Sequence, residues 1–125
     1  MAIIVDDHAD TAEMLKIYLQ SEQLDSLAYH DFDHAYFALA LHHPCIALID
    51  VHVPGRMKAP EFIQKVRRKF PNLPIVIVSA DARAKVIADT FQTPFVFKPF
   101  AADDVVEIVK MACPVAELKR ANFEQ

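Results

Sequence analysis

Asp6 and Asp7 end the apolar run Ile3-Ile4-Val5, Asp50 ends Cys45-Ile46-Ala47-Leu48-Ile49, Ser79 ends Ile75-Val76-Ile77-Val78, and Lys98 ends Phe95-Val96-Phe97. Four strand-like runs therefore each hand over to a polar residue at the C-terminal end. In an open α/β sheet that is where a site is built. Three carboxylates, a hydroxyl and an amine are the groups needed to hold a hard cation and handle a phosphoryl group. Carboxylates brought close together repel, and one is driven towards protonation unless a cation arrives. Magnesium suits such a site, because it takes a few oxygen ligands and keeps waters. Three aspartates and Lys98 carry a formal −2, which one divalent ion cancels. A carboxylate compensated in this way is a plausible nucleophile towards phosphorus. Phosphorylating Asp50 would replace one negative charge with about two. Lys98 and the cation would neutralise the phosphoryl oxygens, and the Ser79 hydroxyl could donate to one of them and so report the event.

The elements that must position these groups alternate regularly. Continuous β-branched and aliphatic runs lie near 2–5, 26–29, 46–49, 75–78 and 94–97, as expected for parallel strands covered on both faces. The weakest, Ser26-Leu27-Ala28-Tyr29, reads as an edge strand. Helical patterns fall between the runs. The first, 11–22, opens with Asp10 as cap and Glu13 closing a capping box, then places Met14, Leu15, Tyr18 and Leu19 at helical spacing. The second spans 33–42. The third starts at Pro60 and aligns Phe62, Ile63, Val66 and Phe70. The fourth, 83–91, rests on Val86 and Ile87, and the fifth, 102–112, on Val105, Ile108, Val109 and Ala112. Five βα units with right-handed crossovers predict a doubly wound five-stranded parallel sheet with helices on both faces. In the order 2-1-3-4-5 the first and third strands adjoin, so Asp6 and Asp7 meet Asp50 at the switch point.

The 125 residues suffice for one domain, and 54% hydrophobic with 24% charged residues places the chain among globular proteins. A net charge of −4 argues against nucleic acid as a direct partner of this domain. The basic run of Lys65, Arg67, Arg68 and Lys69 reads as the solvated side of a helix. The longest apolar stretch, Ala35 to Leu41, has seven residues, far short of a membrane span. No basic region precedes the first apolar run, so a cytoplasmic chain is expected. Cys45 and Cys113 are too few for a disulfide framework and are expected as reduced thiols. None of the six histidines is assigned to zinc. His8 is expected at the surface, beside the acid pair. With Gly55 as the single glycine, helix ends must close on residues such as His43-Pro44, Pro71-Asn72 and Gln92-Thr93.

Four segments, Ile3-Ile4-Val5-Asp6-Asp7, Leu48-Ile49-Asp50-Val51-His52-Val53-Pro54, Ile77-Val78-Ser79-Ala80 and Phe97-Lys98-Pro99-Phe100, together resemble the receiver domain of two-component response regulators. The resemblance covers about 2–112, so 1–112 is taken as the receiver and 113–125 as a tail, linker or extra short helix. It implies the flavodoxin-like receiver fold. It implies Asp50 as phosphoacceptor, loaded from a partner's phosphohistidine on a sensor histidine kinase or a histidine phosphotransfer protein. Asp7 resembles the direct Mg²⁺ ligand, Asp6 the ligand acting through water, and the backbone carbonyl of His52 the third protein ligand beside Asp50. Ser79 matches the switch hydroxyl, Phe95 the switch aromatic and Lys98 the family's amine, and the Lys98-Pro99 bond would be cis. His52 and Asp81 stand where the family tunes phosphoaspartate lifetime. The implied role is signalling, with catalysis confined to the domain's own phosphorylation and dephosphorylation. Output would leave through the last helix-strand-helix face to a downstream protein, a fused effector domain or a second copy of the chain.

Some positions depart from that pattern. Lys58 replaces the usual glycine eight residues after the acceptor, leaving Gly55 for any positive-φ position in the loop, and Gln92-Thr93 replaces Gly-Ala before the last strand. Two other readings compete. One is a phosphorylation-independent interaction domain on the same fold, which the intact acids and lysine argue against. The other is a phosphatase with an aspartyl intermediate, for which no second acid stands two residues after Asp50.

Overall fold

Each aliphatic run presents alternate residues to opposite faces, and both faces are covered. The computed structural model describes residues 1–113. Its strands are β1 (Ala2–Val5), β2 (Ser26–Tyr29), β3 (Ile46–Ile49), β4 (Ile75–Ser79) and β5 (Phe95–Phe97). They form one parallel sheet in the order β2-β1-β3-β4-β5. The helices are α1 (Ala9–Ser21), α2 (Phe32–His42), α3 (Ala59–Lys69), α4 (Ala84–Phe91) and α5 (Ala102–Ala112). Ile3, Val5, Ile49 and Ile77 bury one face under Phe32, Leu39, Phe62 and Val66 of α2 and α3. Ile4, Leu48 and Val78 bury the other under Leu15 and Leu19 of α1 and Val105 and Val109 of α5. The predicted doubly wound architecture is thus the observed one, with β2 at an edge.

Register brings the strand ends together. Val5 pairs with Ile49 and Ser79 with Phe97, so Asp6 follows beside Asp50 and Lys98 beside Ser79. The ladder continues past the strands: the Asp50 N–H donates to the Val5 carbonyl at 2.8 Å and the Lys98 N–H to the Ser79 carbonyl at 3.0 Å.

Local chemistry moved several boundaries. Helix α1 begins at Ala9, so Asp10 lies in its first turn and forms no capping box. The buried Asp6 carboxylate instead accepts the His8 N–H at 2.9 Å, which lets the helix start two residues earlier. Asp31 caps α2, accepting the His34 N–H at 2.7 Å. Strand β5 starts at Phe95 because Pro94 has no N–H for the ladder. On α4, Val86 is 66% exposed and the buried residues are Ala84 and Ala88. Helix ends close without glycine: His43 and Gln92 take left-handed backbone at φ +48° and +55°. Gly55, at φ +117°, holds the loop's positive-φ position, whereas Lys58 sits at φ −102°, which any residue adopts.

One expectation is corrected. Cys45 and Cys113, read as separate thiols, are joined as a disulfide with Cα atoms 5.5 Å apart. Their sequence separation of 68 gives no spacing signal; they meet because α5 ends over the start of β3. Residues 114–125, assigned above to a tail, linker or extra helix, lie outside the described residues.

Candidate phosphoryl-transfer site

The cleft at the C-terminal ends of β1, β3 and β4 is about 380 Å³ and is lined by His8, Thr11, Asp50, His52, Ser79, Ala80, Asp81 and Lys98. Lys98 arrives along β5 and bridges two carboxylates, with Nζ 2.7 Å from Asp6 Oδ2 and 2.8 Å from Asp50 Oδ2. The cis Lys98–Pro99 bond follows immediately and turns the chain towards α5. The second oxygen of Asp50 accepts the Val51 N–H at 2.7 Å and the His52 N–H at 3.4 Å. Asp6 and Asp50 are buried, while the Asp7 side chain is 37% exposed at the rim.

Burial would raise the Asp50 carboxyl, but the Lys98 hydrogen bond and charge, with the His52 and Val51 N–H groups, hold it below its ordinary value. Burial likewise acts to lower the Lys98 amine, and the Asp50 and Asp6 carboxylates outweigh it and push it up. The pair is therefore charged on both sides at neutral pH.

Oxygen donors for a hard cation are assembled here. One ligand atom from each of Asp6, Asp7, His8 and Asp50 lies within 4.8 Å of the others. Three carboxylates around one point, offset by a single amine, fit a divalent ion with oxygen preference. Ser79 is buried and its hydroxyl accepts the Asp81 N–H at 3.1 Å. Phe95 is half-buried, with its ring 4.6 Å from that of Phe97. Among the sequence-derived candidates, Asp6, Asp7, Asp50, Ser79 and Lys98 come together, and Phe95 lies outside the cleft.

His52 and Asp81 meet across the mouth, Nε2 to Oδ2 at 2.7 Å. Arg83 clamps Asp81 from outside through Nε at 3.1 Å and a terminal nitrogen at 3.0 Å, and it holds that carboxyl well below the usual range. Arg83 and Thr11 were not singled out from sequence, because nothing in their spacing points at a cleft that only β-strand register creates. His8 is exposed as expected, yet its Nδ1 approaches Asp6 at 3.3 Å and Asp7 at 3.2 Å. Its position directly after the acid pair was the available signal.

Residues 2–110 match the family described as the response regulator receiver domain. The chain is 26% identical over 122 residues to the nitrogen assimilation regulatory protein NtrX of Azorhizobium caulinodans, covering 94% of this chain and 27% of that protein. It thus spans about a quarter of the length of the curated relatives it matches. The receiver domain of NtrX from Brucella abortus superposes with a TM-score of 0.82 at 24% identity, over 90% of this chain and 97% of that one. Vibrio cholerae chemotaxis protein CheY4 shares the fold at a TM-score of 0.77 and 20% identity, over 89% and 96% of the two chains. With residues 2–110 of its 125 matching the family model and its acids, serine and lysine gathered at one cleft, this chain belongs to the response regulator receiver domain family.

Proposed function

We propose that this domain is a phosphorylation-controlled switch in which Asp50 takes a phosphoryl group from a partner's phosphohistidine. The observation that carries the reading is Lys98, bridging Asp6 and Asp50 in a cleft open to a donor. The clustered Asp7 and Asp50 would hold Mg²⁺ directly and Asp6 through a water, and the His52 backbone carbonyl would supply the remaining protein ligand. Bound there, the ion would offset negative charge on the phosphoryl oxygens. In the transfer, an Asp50 carboxylate oxygen forms the new P–O bond as the P–N bond to the partner imidazole breaks. The imidazole nitrogen keeps the bonding pair and takes a proton. Lys98 neutralises the transferred group, and the Ser79 hydroxyl turns to donate to one of its oxygens. Moving Ser79 releases the Asp81 N–H, and Phe95 answers by turning inward, which passes the signal to the face formed by α4, β5 and α5.

His52 and Asp81 flank the approach of hydrolytic water and set the lifetime of the phosphoaspartate. The donor is a sensor histidine kinase or a histidine phosphotransfer protein, in the cytoplasm. The receiver of the signal is a downstream protein, a fused effector domain or a second copy docked through the α4-β5-α5 face. The test is incubation with acetyl phosphate and Mg²⁺ followed by intact-mass measurement. Wild type gains a phosphoryl group, and Asp50→Asn or an added chelator prevents it. No adduct on wild type returns the domain to a phosphorylation-independent interaction role, and an equal adduct on Asp50→Asn removes Asp50 from the mechanism.

A further inference from the structure

At the end of the sheet away from the acidic cleft, Cys45 precedes β3 and Cys113 caps α5. Their Cα atoms are 5.5 Å apart, within the range a disulfide spans. The two sulfurs differ in access. Cys113 is fully buried and packs with Ile46, Val105 and Val109. Cys45 is half-buried and lines an open cavity of about 380 Å³ with His43, Phe70 and Ala112. Neither sulfur has a part in the phosphoryl chemistry.

We propose that Cys45 and Cys113 form a redox latch that fixes the last turn of α5 to the base of β3. Closure is by thiol–disulfide exchange with a small-molecule disulfide such as oxidised glutathione. The Cys45 thiolate, the accessible one, attacks a sulfur of that disulfide; a Cys45–glutathione bond forms and one glutathione thiolate leaves. Cys113, losing its proton to water, then attacks the Cys45 sulfur and displaces the second glutathione thiolate. Two protein thiols are oxidised by two electrons, one external disulfide is reduced to two thiols, and the protons end on those thiols. A small thiol in excess runs the sequence backwards.

The latch matters because of where it sits. Strand β3 carries Cys45 before its first residue and Asp50 after its last. Helix α5 starts four residues after Lys98 and ends at the latch. Besides the disulfide, the last turn is held by the Cys113 N–H on the Val109 carbonyl at 2.7 Å and by packing, while neighbouring Met111 is 88% exposed. Closing the latch ties that turn covalently to the base of β3 and opposes its fraying.

The 125-residue protein is equilibrated in glutathione buffers from reducing to oxidising, then acid-quenched, alkylated and weighed. The expected result is a reversible passage from two alkylated thiols to none, with a linked Cys45–Cys113 peptide. Amide exchange over 109–113 should slow about tenfold in the oxidised protein. Cys113→Ser should trap one glutathione on Cys45, and Cys45→Ser should stay unmodified; Cys113→Ala replaces the former if it fails to fold. Two free thiols in the most oxidising buffer would overturn the latch, and so would equal exchange in both states. Acetyl phosphate labelling of Asp50 is read separately and proceeds in both redox states, so either reading can fail without the other.

Discussion

Replacing Lys98 with methionine keeps most of the side chain's bulk and removes its charge from between Asp6 and Asp50. At 2.7 and 2.8 Å each contact contributes about 6 kcal/mol of gross attraction at an effective dielectric near 20. Most of that offsets the desolvation of three groups whose side chains are 2–12% exposed. What survives in the variant is a buried carboxylate pair with nothing to balance it. The protein escapes by protonating one of them. Taking a proton onto a carboxyl of ordinary pKa near 3.9 costs about 4 kcal/mol at pH 7 and about 1.5 kcal/mol at pH 5. Those figures are the expected losses of stability, and the first agrees with the 3–5 kcal/mol typical of breaking a buried ion pair.

The sign of the pH dependence is the sharper test. In wild type the folded Asp50 carboxyl lies below its unfolded value. Its contribution is therefore present above the unfolded pKa and is lost as pH falls through the folded one. In Lys98→Met, burial and the neighbouring carboxylate outweigh the remaining Val51 and His52 N–H bonds, and the folded pKa lies above the unfolded one, so stability is lost as pH rises between the two. Urea unfolding at pH 5, 6, 7 and 8 without divalent cations reads both. The gap to wild type should widen with pH and narrow when millimolar Mg²⁺ is added. A gap under about 1 kcal/mol at pH 7, or one unchanged from pH 5 to 8, would refute the account of this site.

Three further outcomes follow from the fold. Phe62→Ala removes a fully buried ring packed 4.8 Å from that of Phe32 and should cost about 3–5 kcal/mol in urea unfolding, with a smaller loss than 2 kcal/mol showing that α2 and α3 can collapse into the space. Gly55→Ala forces a side chain onto backbone at φ +117°, where the strain is in the backbone and the added carbon meets Asp31 Cβ at an ordinary 3.4 Å; thermal unfolding should show a loss of about 1 kcal/mol or more, and a gain would mean the loop has another conformation. Asp31→Ala deletes the α2 cap and should cost about 1 kcal/mol at neutral pH. The His34 N–H bond holds the Asp31 carboxyl below its ordinary value, so this difference should vanish as pH falls through the folded pKa, and a difference that persists in acid would contradict capping as its source.

Much of this domain is legible along the chain. Continuous aliphatic runs such as Ile75-Val76-Ile77-Val78 can be buried on both faces only in a covered parallel sheet, and their alternation with helical patterns leaves few topologies. Polar residues placed where those runs end then fall at one rim, which is why Asp6, Asp50 and Lys98 could be grouped although Lys98 stands 92 residues from Asp6. Helix starts were less legible. Asp10 and Asp31 are both good caps by type, yet Asp31 serves as one and Asp10 does not, since the buried Asp6 side chain had already taken the N–H at which α1 begins.

Residue type and order alone therefore determined the strands, most of the helices and the polar residues that stand at the strand ends, because each follows from a local run and its terminus. Tertiary structure alone decided three matters: that Lys98 reaches both Asp6 and Asp50, that Asp81 meets His52 across the mouth, and that Cys113 reaches Cys45. Each of these is a contact between side chains whose separation depends on the packing of whole helices and loops on the sheet. No periodicity in the chain carries that distance.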